Sequence, residues 1–167
     1  GVQPFAQNQS AVGDHVDAGL GRPRPHGRGD ERRPEEALTL NKIRRVGLVG
    51  FGAIAEGAHL SALRSLSVVV DAVCEPSTLR REAALRSLPH ARIYDDISAL
   101  LSAERSLDAL IVCSPPSFHG NGILSGIRAG IHVLCEKPLT LDPEVFAQIQ
   151  TESASRNVCV YSINNWA

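Results

Sequence analysis

Two closely spaced glycines are the first residues whose types and spacing indicate a ligand-binding function. They lie in VGLVGFGAIAEGAHLSAL, between an apolar run and a run of helical period, in a GxGxxA motif made of Gly50, Phe51, Gly52, Ala53, Ile54 and Ala55. In such a turn the first glycine permits a tight bend, the second lets the main chain approach a pyrophosphate, and the small last residue keeps helix and strand close. The start of the helix would face the phosphates with its unpaired N–H groups. A glycine turn without a ligand is the alternative.

A carboxylate follows the second apolar run, where a dinucleotide site would need one. Glu75 comes directly after VVVDAVC and could accept hydrogen bonds from the adenosine ribose hydroxyls. Its charge would repel a 2′-phosphate, which favours NAD over NADP, although Arg80 and Arg81 lie one helical turn further and could offer a counter-charge. Glu75 could instead only cap the following helix. Asp71, inside the strand, is less suitable.

Two further motifs follow apolar runs later in the chain. CSPPSFHG begins at Cys113, and CEKP begins at Cys135. At neighbouring strand ends, both thiols would lie near the same crevice. Because no further metal ligands accompany them, we expect no metal site and interpret them as small buried side chains.

Apolar runs of strand length alternate with stretches of helical period from residue 41 onward, which is typical of repeated strand–helix–strand units. The six strand-like runs are IRRVGLVG, SVVVDAVCE, ARIYDD, LDALIVCS, IHVLCEK and NVCVYSIN. Several helical stretches follow Ser or Asp caps, and Gly130 marks a helix end. The pattern predicts an α/β fold, a doubly wound parallel sheet of the Rossmann NAD(P)-binding type over residues 42–167, with ligands at the carboxyl ends of the strands.

Residues 1–41 differ in composition from the rest of the chain. GLGRPRPHGRGDERRPEE is dense in Gly, Pro and charge, with too few apolar groups to offset the entropy of folding, so we expect a disordered leader. The chain has no Met at all, which suggests that the sequence is a fragment or begins upstream of the natural domain.

Composition argues against several classes of partner. A net charge of -1 and a pI near 6.6 give no basic field for nucleic acid or anionic membrane. No apolar run approaches the roughly 20 residues that cross a bilayer, and no signal segment opens the chain. The four cysteines occur singly, which favours reduced thiols. We therefore expect a cytoplasmic protein.

Together, GFGAIA, the CE after the second strand, SPPSFH and EKP resemble the nucleotide-binding half of the glucose-fructose oxidoreductase and inositol dehydrogenase family, abbreviated Gfo/Idh/MocA. The resemblance covers residues 43–167. It implies an oxidoreductase that transfers hydride between a nicotinamide cofactor and a sugar, cyclitol or related polyol. It further implies that Lys137 is catalytic beside the nicotinamide and that Glu136 lines the nicotinamide ribose.

The same resemblance implies that Ser114, Pro115 and His119 pack around the middle of the cofactor. A packed or capping role for His119 is the alternative, since it falls in the first turn of a predicted helix. His59, in the middle of the first predicted helix, is interpreted as structural. Ser114 stands where the family commonly has Thr, and Ala55 replaces a Gly.

One departure from the family is large. Its enzymes have a second α/β domain that carries substrate contacts, whereas this sequence stops at YSINNWA. We therefore expect the chain to bind cofactor but to turn over substrate poorly, with an oligomer possible in a full-length form. A non-catalytic NAD-binding or partner-binding module and an inactive truncated fragment are the alternatives.

Overall fold

A computed structural model describes residues 43–163 of the 167-residue chain. The predicted leader of residues 1–41 lies outside the described residues, as does Asn164 at the end of the last predicted strand. Within the described part, all six predicted strands are present, and helical segments lie between them as predicted.

Six parallel strands form one sheet. They are β1 (Arg45–Val49), β2 (Val69–Cys74), β3 (Arg92–Tyr94), β4 (Ala109–Val112), β5 (His132–Cys135) and β6 (Val160–Ser162). Their order across the sheet is β3-β2-β1-β4-β5-β6, so the direction of winding reverses between β1 and β4. This arrangement confirms the predicted doubly wound Rossmann-type sheet and puts the switch point beside the glycine motif.

Helical segments connect the strands. They are a π-helical turn (Ala55–His59) that continues into α1 (Leu60–Ser65), then α2 (Thr78–Ser87), α3 (Ile97–Ala103), a 3-10 turn (Pro116–Phe118) that leads into α4 (His119–Arg128), and α5 (Pro143–Arg156). Two helices begin at the predicted Asp caps: Asp96 accepts from two N–H groups of α3, and Asp142 accepts from two of α5. Gly130, with φ of +75°, follows the end of α4 as predicted.

Two apolar clusters form the core, and the central strands contribute to both of them. The π-turn, α1 and α2 supply residues to one cluster, whereas α3, α4 and α5 supply residues to the other. Every residue of β4 is buried, and only Arg45 of β1 is exposed, because these central strands are covered on both faces. Burial on both faces explains why their sequences read as continuous apolar runs rather than alternating ones.

No helix within residues 43–163 combines the length and the apolar character that a bilayer crossing would require.

Candidate functional site

A crevice with a cavity volume of about 650 Å³ opens at the carboxyl ends of β1, β2 and β4. Eight of the eleven residues predicted from sequence line it, namely Gly50, Phe51, Gly52, Ala53, Ile54, Glu75, Ser114 and Pro115. Three others, His119, Glu136 and Lys137, are not among its lining residues. The structure therefore brings most of the predicted cofactor site together and places the remainder on the adjoining β5 loop and behind the β4 loop.

The two glycines of the turn have different surroundings. Gly50 has φ of +92°, and a Cβ built on it would lie 2.7 Å from the main-chain nitrogen of Ser114. It is therefore required where the β1 and β4 loops touch. A Cβ built on Gly52 meets nothing within 4 Å, because that side of its backbone faces open space. This bare main chain in a cavity wall fits the close approach of a pyrophosphate.

The helix that leaves the glycine turn presents its first residues to the crevice. Ala53 and Ile54 are already helical, so the N–H groups of this first turn have no partner within the helix. Ala55 is fully buried, as expected for the residue that brings helix and sheet together. The Phe51 side chain is also buried in the core, and its main chain borders the cavity.

Glu75 is buried and already bound by the main chain. One carboxylate oxygen accepts the Phe51 N–H at 2.8 Å, and the other accepts the N–H of Ser77 at 2.9 Å. Ser77 is the residue that precedes α2, so Glu75 supports the start of that helix as well as the glycine turn. Each oxygen keeps a second lone pair, which leaves room for the predicted ribose contact.

Arg80 and Arg81, the two candidate partners for a 2′-phosphate, differ in what their side chains contact. Arg80 lines the cavity. Arg81 donates to the carbonyl oxygens of Glu75 at 3.0 Å and Pro76 at 2.6 Å, so its guanidinium is committed to the main chain. Of the two, only Arg80 borders the space where an adenosine phosphate would lie.

The lining residues that the sequence analysis did not assign to the site include four with polar or aromatic side chains: Asp95, Asp96, Phe118 and Asn121. The two aspartates directly follow β3, and a carboxylate pair at a third strand end was the available signal. N–H groups of Ala99 and Ser98 lower the pKa of Asp96 and keep it ionised at neutral pH. Phe118 is an exposed aromatic side chain on the 3-10 turn, where exposure cannot be predicted from periodicity.

Ser114 carries an unpartnered polar atom. Its hydroxyl oxygen is buried and has no hydrogen-bond partner among the described residues, although the residue lines the cavity. A buried hydroxyl without a partner costs free energy unless a ligand or water satisfies it. The hydroxyl therefore suits a polar group of a bound cofactor.

Three cysteines lie at strand ends, each directly before a predicted site residue: Cys74 before Glu75, Cys113 before Ser114 and Cys135 before Glu136. Burial raises the pKa of Cys113 to about 12 and that of Cys135 to about 12, with the charge of Glu136 adding to both shifts. Burial, followed by the charge of Asp96, raises the pKa of Cys74 to about 11. These thiols remain protonated at neutral pH, which agrees with their interpretation as small unreactive side chains; Cys74 and Cys135 are buried, and Cys113 is half-buried.

His119 is buried behind the crevice, with 1% of its surface exposed. Its Nδ1 lies 2.7 Å from the carbonyl oxygen of Pro138, and its Nε2 lies 2.7 Å from the carbonyl oxygen of Ser114. Both contacts are hydrogen bonds together only when both ring nitrogens carry protons. The ring thus joins the β4 loop to the β5 loop, and its predicted contact with the cofactor stays a prediction.

Glu136 and Lys137 follow β5. The Glu136 N–H donates to the carbonyl oxygen of Val112 at 2.9 Å, which fixes the loop to the end of β4. The Glu136 carboxylate lies 2.8 Å from Nε2 of His59, the histidine interpreted from sequence as structural. Lys137 is exposed. No cluster of three or more His, Cys, Asp or Glu suitable for a metal ion occurs in residues 43–163.

Curated relatives share this segment. The chain is 34% identical over 113 residues to D-glucoside 3-dehydrogenase of Escherichia coli (strain K12), covering 66% of this chain and 31% of that protein. It is 34% identical over 107 residues to inositol 2-dehydrogenase of Corynebacterium glutamicum (strain R), covering 63% and 31%. The chain thus matches about a third of the length of these relatives.

Solved structures share the fold. The WlbA (WbpB) dehydrogenase from Thermus thermophilus, in complex with NAD and α-ketoglutarate, has a TM-score of 0.65 and 29% identity over 72% of this chain and 41% of that chain. KijD10, a 3-ketoreductase from Actinomadura kijaniata in complex with NADP and TDP-benzene, has a TM-score of 0.64 and 30% identity over 71% and 36%.

The profile of one sequence family, GFO_IDH_MocA, described as an oxidoreductase family with an NAD-binding Rossmann fold, matches residues 44–164. The match covers most of the chain and every predicted site residue. Its NAD-binding fold agrees with the strand order, the glycine turn and the acidic residue after β2. The chain therefore belongs to the Gfo/Idh/MocA family of oxidoreductases, as the NAD-binding Rossmann domain.

Proposed function

We propose that this chain binds NAD(H) in the crevice and serves as the cofactor-binding part of a dehydrogenase of sugars, cyclitols or related polyols. The observation that carries the proposal is the convergence of three features on one cavity: the bare main chain at Gly52, the buried carboxylate of Glu75 and the unpartnered hydroxyl of Ser114. The substrate class is supported by the names of the relatives, which act on a glucoside and on inositol.

The cofactor would extend along the crevice. We expect Gly52 and the first-turn amides of Ala53 and Ile54 to hold the pyrophosphate, with Glu75 on the adenosine ribose. The Ile54 side chain and Phe118 are 54% and 61% exposed and both line the cavity, so they can pack against the cofactor from two sides. Burial of these apolar surfaces would add to binding.

Charge favours NAD over NADP. Glu75, Asp95 and Asp96 all line the cavity, and three carboxylates would repel a 2′-phosphate. Arg80 supplies one opposing charge, so NADP binding remains possible at lower affinity. The NADP complex of KijD10 shows that a structural relative accommodates the phosphate.

The reaction would place Lys137 beside the reacting carbinol. When bound, NAD supplies a hydride acceptor at nicotinamide C4. Lys137 is exposed on the β5 loop, where its ammonium could orient a hydroxyl or assist its deprotonation, and Glu136 would contact the nicotinamide ribose. The part of this chain in catalysis is to bind, orient and exclude water on one side of the substrate.

The other walls of such a site would come from outside this domain. Because the chain matches 31% of its curated relatives, we expect residues 1–167 alone to bind cofactor and to show little turnover. We also expect a cytoplasmic protein, because all four cysteines are free thiols. Oligomer formation in a longer form is part of the same proposal.

A titration of the purified chain with NADH and NADPH, followed by nucleotide fluorescence and calorimetry, tests the cofactor assignment. We expect saturable NADH binding and weaker NADPH binding. Gly52→Asp is the matched control, because its side chain enters open space and would repel the pyrophosphate without meeting the core. Absence of NADH binding at millimolar concentration, or equal binding by the control, contradicts the proposal. Tight binding without turnover in a longer, two-domain form would instead favour a non-catalytic module.

A further inference from the structure

The first helix contains a π-helical turn between the glycine loop and α1. The N–H of Leu60 bonds to the carbonyl oxygen of Ala55, which is the i+5 spacing of a π-turn. Such a turn holds one residue more than an α-helical turn and shifts the direction of the side chains that follow it. His59 is the last residue of this turn and is directed toward the β5 loop, where it contacts Glu136.

The contact between His59 and Glu136 is short and largely enclosed. Nε2 of His59 lies 2.8 Å from Oε1 of Glu136, and the two side chains are only 12% and 15% exposed. An ionised carboxylate only accepts hydrogen bonds, so His59 is the donor in this pair. A charge-assisted bond with little exposure is stronger than a neutral surface contact and is less screened by salt.

His59 is the only side chain among residues 43–163 that hydrogen-bonds the Glu136 carboxylate. The other contact of that carboxylate is a long one, 3.3 Å, from the N–H of Lys137 to Oε2. The orientation of the carboxylate in its loop therefore depends on the histidine. Because Lys137 is the next residue, the same contact also restrains the backbone that presents the lysine.

We propose that His59 is a positioning residue: it fixes Glu136 and, through it, the β5 loop against the helix that begins at the glycine turn. The inference rests on the proposed function, since Glu136 and Lys137 matter through the nicotinamide half of the cofactor. One helix would then serve both halves of the site, with main-chain N–H groups at its start and an imidazole at the end of its π-turn. Such fixed supports keep a reactive group within the small tolerance that chemistry requires.

A purely structural role predicts something different. If His59 only held the fold together, its loss would lower stability and weaken every ligand of the crevice to a similar extent. A positioning role acts on the nicotinamide half alone. ADP-ribose, which lacks the nicotinamide, separates the two possibilities, because it still occupies the glycine turn and the Glu75 end.

The experiment compares NADH and ADP-ribose affinities for the wild-type chain, His59→Leu and His59→Gln, with thermal unfolding of each. We expect His59→Leu to weaken NADH by about tenfold, in line with loss of a hydrogen bond to a charged group, and ADP-ribose by less than about threefold. His59→Gln places an amide N–H near the original Nε2 position and should restore most of the NADH affinity. His132→Leu is the control, since His132 is exposed and accepts only the Cys159 N–H.

A double variant tests whether the effect passes through Glu136. His59→Leu combined with Glu136→Ala should weaken NADH no more than Glu136→Ala alone. Equal losses for NADH and ADP-ribose, no loss for either, or full additivity in the double variant would overturn the inference. If His59→Leu does not fold, His59→Asn replaces it, because the shorter amide cannot reach Glu136. We expect His59→Asn to weaken NADH selectively, and an equal loss of NADH and ADP-ribose affinity in this variant overturns the inference. Failure of the wild-type chain to bind either nucleotide would refute the proposed function itself.

Discussion

Glu75 and Glu136 each follow a buried cysteine at the end of a strand, but Glu75 lines the crevice, whereas Glu136 lies on the adjoining β5 loop. They are held in different ways. Glu75 accepts main-chain N–H groups from Phe51 and Ser77, whereas Glu136 accepts a side-chain hydrogen bond from His59, 77 residues earlier in the chain. The part of the site that we assign to the adenosine is thus supported by its own loops, whereas the β5 loop, which we assign to the nicotinamide, depends on side chains brought together by the fold. These two parts are called the adenosine half and the nicotinamide half below.

His119 extends the same contrast. Its ring lies between the carbonyl oxygens of Ser114 and Pro138, so a second imidazole packs between the β4 and β5 loops. Main-chain donors stay in place whenever the strands and helices form, whereas a side-chain donor is lost by one substitution. We therefore expect the adenosine half to withstand substitutions that disturb the nicotinamide half, and the following predictions test that difference.

The largest expected effect is on the reactivity of the thiols at the ends of β2, β4 and β5. With a pKa of about 12, Cys113 and Cys135 have about 10⁻⁴ of their population as thiolate at pH 8, so alkylation should be about a thousandfold slower than for an ordinary thiol. Timed iodoacetamide labelling with mass spectrometry measures this, with the exposed Cys159 as internal control.

The pH dependence of this labelling has a definite sign. In the folded protein the pKa values of Cys74, Cys113 and Cys135 lie above the ordinary thiol value. The contribution of these protonated thiols to the free energy of unfolding is therefore complete below about pH 9 and decreases as the pH rises toward 11 to 12. Labelling should therefore accelerate with pH. Fast labelling of Cys113 or Cys135 at pH 8, with Cys74 protected, would show that the ends of β4 and β5 open while the end of β2 stays closed.

The next largest effect is expected where the β1 and β4 loops touch, at Gly50. Gly50→Ala would put a Cβ at 2.7 Å from the Ser114 nitrogen and impose a φ of +92° on alanine. Overpacking and the disfavoured backbone together should cost about 3 kcal/mol or more, roughly a hundredfold in the folding equilibrium. Chemical denaturation followed by circular dichroism measures the loss.

Gly52→Ala is the matched control for this prediction. A Cβ there meets nothing within 4 Å, so stability should stay within about 0.5 kcal/mol, while NADH affinity falls because the pyrophosphate loses its close approach. If both variants were equally stable, the close contact between the β1 and β4 loops would not be a requirement of the fold.

The sequence predicted the strands and helix ends because their signals are local. All of β4 lies within the predicted run LDALIVCS, and α5 begins at Pro143, directly after its Asp142 cap. The π-turn was not predictable in this way, since AEGAH contains small residues that fit either helical period. His59 was therefore interpreted as structural, although the turn directs it to Glu136.

Of the candidate cofactor site, the residues in short local motifs are the ones that the sequence places at the cavity. The glycine turn and Glu75 are defined by short motifs, and both line the cavity. The placement of His119, buried behind the crevice between two loops, depends on packing between α4 and the loops after β4 and β5. Periodicity indicates that a first-turn histidine lies on a helix but does not indicate which carbonyl groups surround its ring.

Substitution of Glu75 should have an intermediate effect. Glu75→Ala removes the predicted ribose acceptor, which should weaken NADH by about 10- to 100-fold and narrow its advantage over NADPH. It also frees the N–H groups of Phe51 and Ser77, so we expect a loss of stability of about 1 to 3 kcal/mol. Competitive titrations and denaturation measure the two effects.

Glu75→Gln keeps the shape of the side chain but loses the negative charge. Its single carbonyl oxygen can accept only one of the two main-chain N–H groups, because its NH2 group is a donor. We expect part of the stability loss of Glu75→Ala together with a reduced preference for NADH. If the ratio of NADH to NADPH affinity is unchanged in both variants, Glu75 acts only as a support for α2, and Arg80 becomes the residue to test for the choice of cofactor.

Lys137 should give the smallest effect on binding and the sharpest separation of binding from chemistry. Its side chain makes no hydrogen bond or ion pair with residues 43–163, and it is exposed on the β5 loop and is not among the residues that line the cavity. Lys137→Ala should therefore change NADH affinity by no more than a few-fold and leave unfolding unchanged.

In a longer form of the protein that oxidises a polyol, Lys137→Ala should lower turnover by about 10²-fold or more, because the carbinol loses its ammonium partner. Lys137→Arg is the control, since it keeps the charge but cannot readily exchange a proton. An undiminished rate in Lys137→Ala would remove the lysine from the chemistry, whereas a large loss of NADH affinity would make it part of the cofactor site and erase the distinction between the two halves.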